Sequence, residues 1–156
     1  MPKTFRMSSG FSEDDRGIGF LEDKEDKDLD AGAVFDGLKA DTERKVRSRM
    51  DHWLQGNVYD KYFHRWNLPE YRYCFEFKWE ERHKPQRLYG FLCHPIPISN
   101  PSFELCVLTF YGVKDDDTDF GILDDVNRLR NHAETTKAIS ETYPEYARNG
   151  RKEWVQ

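Results

Sequence analysis

Between Tyr71 and Trp79 every odd position carries an aromatic ring: Tyr71, Tyr73, Phe75, Phe77 and Trp79. The even positions hold Arg72, Cys74, Glu76 and Lys78. Strand side chains point alternately to two faces, so this period of two predicts a strand with one wholly aromatic face. Such a face has to be covered by a second layer. That demand outweighs a mean hydropathy of -0.91 and a charged fraction of 34%, values that by themselves suit a disordered chain. The chain of 156 residues holds 11 Phe, 8 Tyr and 4 Trp, and disordered chains are poor in rings.

Two further strands follow. Glu80 to Gln86 reads as a charged turn containing Pro85, and Arg87 to Cys93 as the second strand. Pro95, Pro97 and Pro101, with Ser99-Asn100, predict a long irregular loop. Phe103 to Tyr111 is nearly all apolar and is expected to be buried on both faces. Upstream, Val34, Leu38, Val46, Met50, Trp53 and Leu54 fall at helical spacing. Gly37 and Asp41-Thr42-Glu43 divide them into two helices, an αα-hairpin closed by Gly56. Asn57 to Glu70 is read as a connector rich in rings and bases. Downstream, Asp117 or Thr118 is expected to cap one helix carrying Ile122, Val126, Leu129, Ala133 and Ile139, ending near Tyr143-Pro144. The expected class is α+β: an N-terminal helical hairpin, a small curved antiparallel sheet and a C-terminal helix, with helices over one face. Residues 1–30 show no period and two acidic runs, which predicts a flexible acidic extension. A domain over 31–143 and a polar tail over 144–156 complete the expected organisation.

The net charge is -5, but it is unevenly spread. Residues 1–30 and 115–156 each carry -4, whereas 31–70 carry +1 and 71–114 carry +2. A locally basic middle leaves nucleic acid open as a partner. No apolar run reaches the ~18 residues of a membrane helix, and Met1 to Gly10 lacks a secretory core, so a cytoplasmic protein without membrane contact is expected. Cys74, Cys93 and Cys106 lie inside apolar runs and read as buried thiols of a reducing compartment. A zinc site from His83, Cys93, His94 and Cys106 lacks any standard ligand spacing, so no metal or other cofactor is expected.

In its order of motifs the chain resembles the RelE/ParE toxin superfamily and its HigB-like branch over about residues 31–135. The residues that carry the resemblance are Val34-Phe35, Leu38, Val46, Met50 and Leu54-x-Gly56, then Cys74-Phe75-Glu76-Phe77-Lys78, Gln86-Arg87-Leu88-Tyr89-Gly90-Phe91, and Leu108 to Lys114 followed by Thr118. The resemblance implies a toxin of a bacterial or phage toxin–antitoxin pair that arrests growth. Its partners would be a cognate antitoxin and RNA, the latter on the ribosome in many members of the family. It departs from the family pattern in two places. Val113-Lys114 stands where paired lysines are usual, three aspartates follow, and the chain is acidic where such toxins are basic. A catalytically degenerate binding module or nucleic-acid mimic, and a gyrase-poisoning toxin of the ParE type, are the alternatives.

Metal-free RNA cleavage by a 2′-hydroxyl needs a base, an acid and cations against the phosphorane charge. Lys78, His83, Arg87 and Tyr89 are the catalytic candidates, with His94 a further histidine in reach of a strand end. Arg82, Lys84, Lys114, Arg44 and Arg47 are the candidates for RNA binding. Lys78 and Arg87 lie on neighbouring strands joined by the Arg82-His83-Lys84 turn, and if they share a face they could clamp one phosphate. The competing reading pairs Arg87 with Glu76 across the strands and leaves the turn's charges as a solvated rim.

Overall fold

The computed structural model describes residues 5–95, 102–114 and 119–144. Six strands form one mixed sheet: β1 (Arg6–Ser12), β2 (Arg16–Glu22), β3 (Phe63–Arg65), β4 (Cys74–Glu81), β5 (Lys84–Cys93) and β6 (Glu104–Val113), in the order β1-β2-β6-β5-β4-β3. All neighbours run antiparallel except β2 and β6, which are parallel and pair Ile18 with Cys106 and Phe20 with Leu108. Helices α1 (Ala31–Asp36) and α2 (Ala40–Leu54) precede β3, while α3 (Phe120–Arg130) and α4 (Ala133–Thr142) follow β6.

The expected fold class is therefore overturned. The chain opens on a β-hairpin, not on a helical one. Helices α1 and α2 do form on either side of Gly37, but they do not pair as a hairpin: α1 packs on β2 and β6, and α2 on β4 and β2. The sheet is mixed and dominates the fold, and the single C-terminal helix is two, broken at Asn131-His132. The His132 ring accepts from Glu134 N to cap the second helix. Asp119 caps α3 by accepting from Gly121 N and Ile122 N; the expected caps Asp117 and Thr118 lie outside the described residues.

The alternation in β4 explains the layering. Phe75, Phe77 and Trp79 face one side with Leu88, Leu92, Cys106, Leu108, Ile18 and Phe20, and α1 and α2 cover them with Phe35, Val46, Met50 and Trp53. Cys74, Tyr89, Phe91, Cys93, Leu105 and Val107 face the other side under Leu123, Val126, Ala138 and Ile139 of α3 and α4. Helices thus cover both faces, in three layers, rather than one. A bulge between Tyr89 and Gly90 of β5 leaves Thr109 unpaired with β5, and its hydroxyl donates to Tyr89 O at 3.0 Å.

Residues 5–30 belong to the sheet and its packing, not to a flexible extension. Strand β2 lies between β1 and β6 with its five central residues buried, so it shows no polar–apolar period to read. Phe5, 4% exposed, meets His132 edge-on. The acidic run after β2 folds into short turns, in which Asp23 accepts from Glu25 N and Asp26 from Asp28 N. Asp30 then accepts from Tyr111 N at 2.8 Å, which pins the run to β6. Burial pushes the Asp30 carboxyl above its usual range. Gly56, at φ 91, follows α2 where a left-handed residue ends the helix.

Candidate functional site

Strand pairing brings a group of charges together on the α3 side of the sheet, beyond the N-terminal end of α3. Lys78 and Arg87 are direct cross-strand partners, as are Glu76 and Tyr89, and His64 of β3 pairs with Glu76 from the other side. All five belong to one face by alternation. Lys114, just past the end of β6, acts electrostatically on both Glu76 and Lys78.

Glu76 is the centre of the group. It is 1% exposed, and its Oε1 lies 3.4 Å from Arg87 Nε, whose side chain is 12% exposed. Neither Glu76 Oε2 nor Arg87 Nε has a hydrogen-bond partner. Burial pushes the Glu76 carboxyl above its usual range, against the pull of Arg87, Lys114 and Lys78. The cross-strand ion pair anticipated as the competing reading of Arg87 is thus present, as a diagonal contact. Arg87 also donates to Gln86 O at 2.9 Å.

Lys78 is held from the connector. Its Nζ donates to Asp60 O at 2.6 Å and lies 3.7 Å from Asp60 Oδ2. Its backbone N donates to Tyr62 O. Burial lowers the Lys78 ammonium below its usual range, partly offset by Asp60 and Glu76. Asp60 itself is shifted below the usual carboxylate range, first by its bond to His64 Nδ1 at 2.7 Å. Tyr89, 3% exposed, is pushed up to about 12 by burial and stays a neutral phenol at physiological pH. Its ring lies over Gly112, where a Cβ would come within 3.1 Å of it.

At the exposed edge of β4 opens a cleft of about 580 Å³ between α2 and the connector, which Lys78 and Arg87 reach from the charged group. Five cations line it, Lys45, Arg49, Lys61, Lys78 and Arg87, against the carboxylates Asp60 and Glu80. Arg49 donates to Lys78 O at 2.7 Å and Lys45 reaches Glu80 O at 3.5 Å, so α2 caps the carbonyls of β4 where β3 has ended.

The other candidates fall elsewhere. Arg82 and His83 form the tip of the β4–β5 turn with φ of 50 and 65. His83 therefore sits past the Glu81–Lys84 rung, four residues along the strand from Arg87, about 13 Å at ~3.3 Å per residue. Arg82 and Lys84 line a separate groove against the start of α2. Arg44 pairs with Asp41 on the exposed side of α2. Arg47 pairs with Glu43 and lies over the Phe11 and Phe35 rings at 4.7 and 5.3 Å. His94 Nδ1 contacts Phe103 O at 3.0 Å at the far end of β5. The structure therefore unites Lys78, Arg87, Tyr89 and Lys114, and does not place His83, Arg82, Lys84, Arg44 or Arg47 with them.

Sequence reasoning missed Asp60 and His64 as site residues, and from the basic face Arg44, Lys45, Arg47 and Arg49 it chose Arg44 and Arg47 over Lys45 and Arg49. Lys45 and Arg49 lie one helical turn apart, and that i,i+4 spacing marks the stripe of α2 that meets the sheet edge. Asp60 and His64 show no local pattern. Cys74 and Cys93 are buried, and burial pushes both thiols up to about 12, which leaves them without nucleophilic character. Among the described residues no helix is long and apolar enough to cross a membrane. No family model, curated protein or solved structure matches the chain.

Proposed function

We propose that the protein cleaves single-stranded RNA in the cleft in front of Lys78 and Arg87, and that it acts in the cytoplasm as the toxin of a toxin–antitoxin pair. The observation that carries this reading is the convergence of Lys78, Arg87 and Lys114 on the nearly inaccessible Glu76, with one carboxylate oxygen left unpartnered behind an open cationic cleft. Cations so placed meet the charge that develops on a phosphorane. Lys78, drawn below the usual lysine range by burial, suits removal of the 2′-hydroxyl proton. Arg87 holds the phosphate, and water in the cleft protonates the leaving 5′-oxygen. Glu76 is a positioning residue, since at 1% exposure it touches Arg87 and not substrate. The resemblance of residues 31–135 to RelE/ParE toxins supplies the biological setting.

One observation favours a second reading. Lys78 already lies 3.7 Å from the Asp60 carboxylate, and Arg87 is paired with Glu76. A site so neutralised would bind a partner without chemistry, as the catalytically degenerate module does. Inducible expression in bacteria of wild type beside Arg87→Ala, with growth and mRNA integrity followed together, separates the two. Arrest with RNA decay in the wild type alone supports cleavage. Normal growth at confirmed soluble expression of the wild type refutes it and leaves the binding module.

A further inference from the structure

The turn that holds Lys78 also presents a set of rings to solvent. Tyr59 O accepts from Tyr62 N at 3.0 Å and Phe63 N at 3.2 Å, which closes the turn. The Tyr59 and Tyr62 rings then meet at 4.6 Å, edge to face. His52 of α2 joins both, at 6.1 and 5.5 Å. The Arg49 guanidinium lies over Tyr62 at 4.6 Å. This group is not sealed into the core: Tyr59 is 40% exposed and the neighbouring Val58 87%. A ring cluster that served packing alone would be covered, as Phe63, Phe75 and Phe77 are at 5% or less.

Its surroundings are cationic. Lys61 stands inside the turn's sequence, and Tyr62 shares the cleft wall with Arg49, Lys45, Lys78 and Arg87. Rings set beside a line of cations are what an unpaired nucleotide requires, because the bases stack and the phosphates follow the charges.

We infer that the Tyr59–Tyr62–His52 cluster is a base-stacking subsite, which receives one unpaired base of a single-stranded RNA adjacent to the phosphate held by Lys78 and Arg87. This rests on the proposed nucleic-acid function of the same cleft. Asp60 links the two halves, since it lies between the stacking rings in sequence and bonds Lys78. The subsite then holds the base beside the reacting phosphate by stacking and not by hydrogen-bond readout, so it accepts any base.

The test uses a 10-nucleotide 2′-O-methyl RNA, which cannot be cleaved, bound to the full chain and followed by fluorescence anisotropy at fixed salt. Tyr59→Ala is expected to weaken binding about 5- to 150-fold, the range of one lost stack. Tyr59→Phe, which keeps the ring, is expected to stay within 2-fold. An abasic scan of the oligonucleotide should reveal one position whose loss weakens the wild type equally and costs Tyr59→Ala nothing more. Unchanged thermal midpoints of both variants exclude a folding artefact. If the wild type binds and Tyr59→Ala binds equally well, or every abasic position affects both proteins alike, the subsite is refuted while the cleft remains an RNA site. If the wild type does not bind at all, the nucleic-acid reading fails and the subsite with it.

Discussion

Removing the Arg87 guanidinium exposes the energetic logic of the site most directly. At 3.4 Å from Glu76 Oε1, with an effective dielectric of about 20, the gross attraction is about 5 kcal/mol. Desolvation of the carboxylate outweighs it, since the Glu76 carboxyl still lies above its usual range. Truncating one member of a buried pair costs about 3–5 kcal/mol, because the other charge is stranded. Glu76 has an escape in taking up a proton, so Arg87→Ala is expected to cost about 3 kcal/mol at pH 8 and clearly less at pH 6. The sign follows from linkage. A carboxyl raised on folding binds its proton more tightly in the native state, so stability falls as pH rises from the unfolded value, about 4.3, to the raised native one. Without Arg87 the native value climbs further and the window widens, with a slope of up to about 1.4 kcal/mol per pH unit. Urea unfolding followed by tryptophan fluorescence at pH 6, 7 and 8 measures this, and Glu76→Gln/Arg87→Ala completes a cycle. Most of the loss at pH 8 should be recovered in the double variant, with a coupling of at least about 1.5 kcal/mol. A loss below about 0.5 kcal/mol at pH 8, an equal loss at pH 6 and pH 8, or simple additivity in the cycle would refute the argument.

Lys78→Arg keeps the cation and removes the titratable amine, so RNA cleavage should fall by about 100-fold or more while RNA affinity changes by less than about 3-fold. In the wild type the cleavage rate should rise with pH and level off below the ordinary lysine value of 10.5, because burial draws Lys78 down; a rise continuing to that value would contradict the assignment. His83→Gly relieves a left-handed residue at φ 65 and is expected to stabilise the fold by about 1 kcal/mol with cleavage unchanged, which thermal unfolding and the same assay check together. Gly90→Ala would set a Cβ 2.8 Å from Val107 C and 2.9 Å from Leu108 Cα, in backbone that two paired strands prevent from shifting. It should cost about 3 kcal/mol or more, seen as a thermal midpoint lower by about 6–12 °C or as insoluble expression.

What could be read from the sequence divides along physical lines. Strands β4, β5 and β6 declared themselves because they meet in hairpin or near-hairpin order, with a period of two or a long apolar run. Lys78 and Arg87 were expected on neighbouring strands, and the register that makes them direct partners came from the structure. Strand β2 was hidden by its own burial: Arg16-Gly-Ile-Gly-Phe-Leu-Glu22 has core on both faces and therefore no alternation, and acidic turns surround it. Its partner β6 lies more than eighty residues away, and a parallel pairing leaves no turn signal to announce it. The second helical layer was hidden too: Leu123, Val126, Ala138 and Ile139 of α3 and α4 cover the face of the sheet opposite to the one that α1 and α2 share. The site divides in the same way. Its cross-strand members lie on neighbouring strands that the sequence shows. Asp60 and His64, by contrast, reach Lys78 and Glu76 only through β3, three residues long and too short to carry a period. His83 misled for a chemical reason, since its unperturbed pKa suits proton transfer but its turn position keeps it from the pair it seemed to join. The group better suited to proton transfer is an ordinary lysine that burial has moved. Burial of that kind is a property of the assembled sheet, so no local pattern in Cys74 to Lys78 could have foretold it.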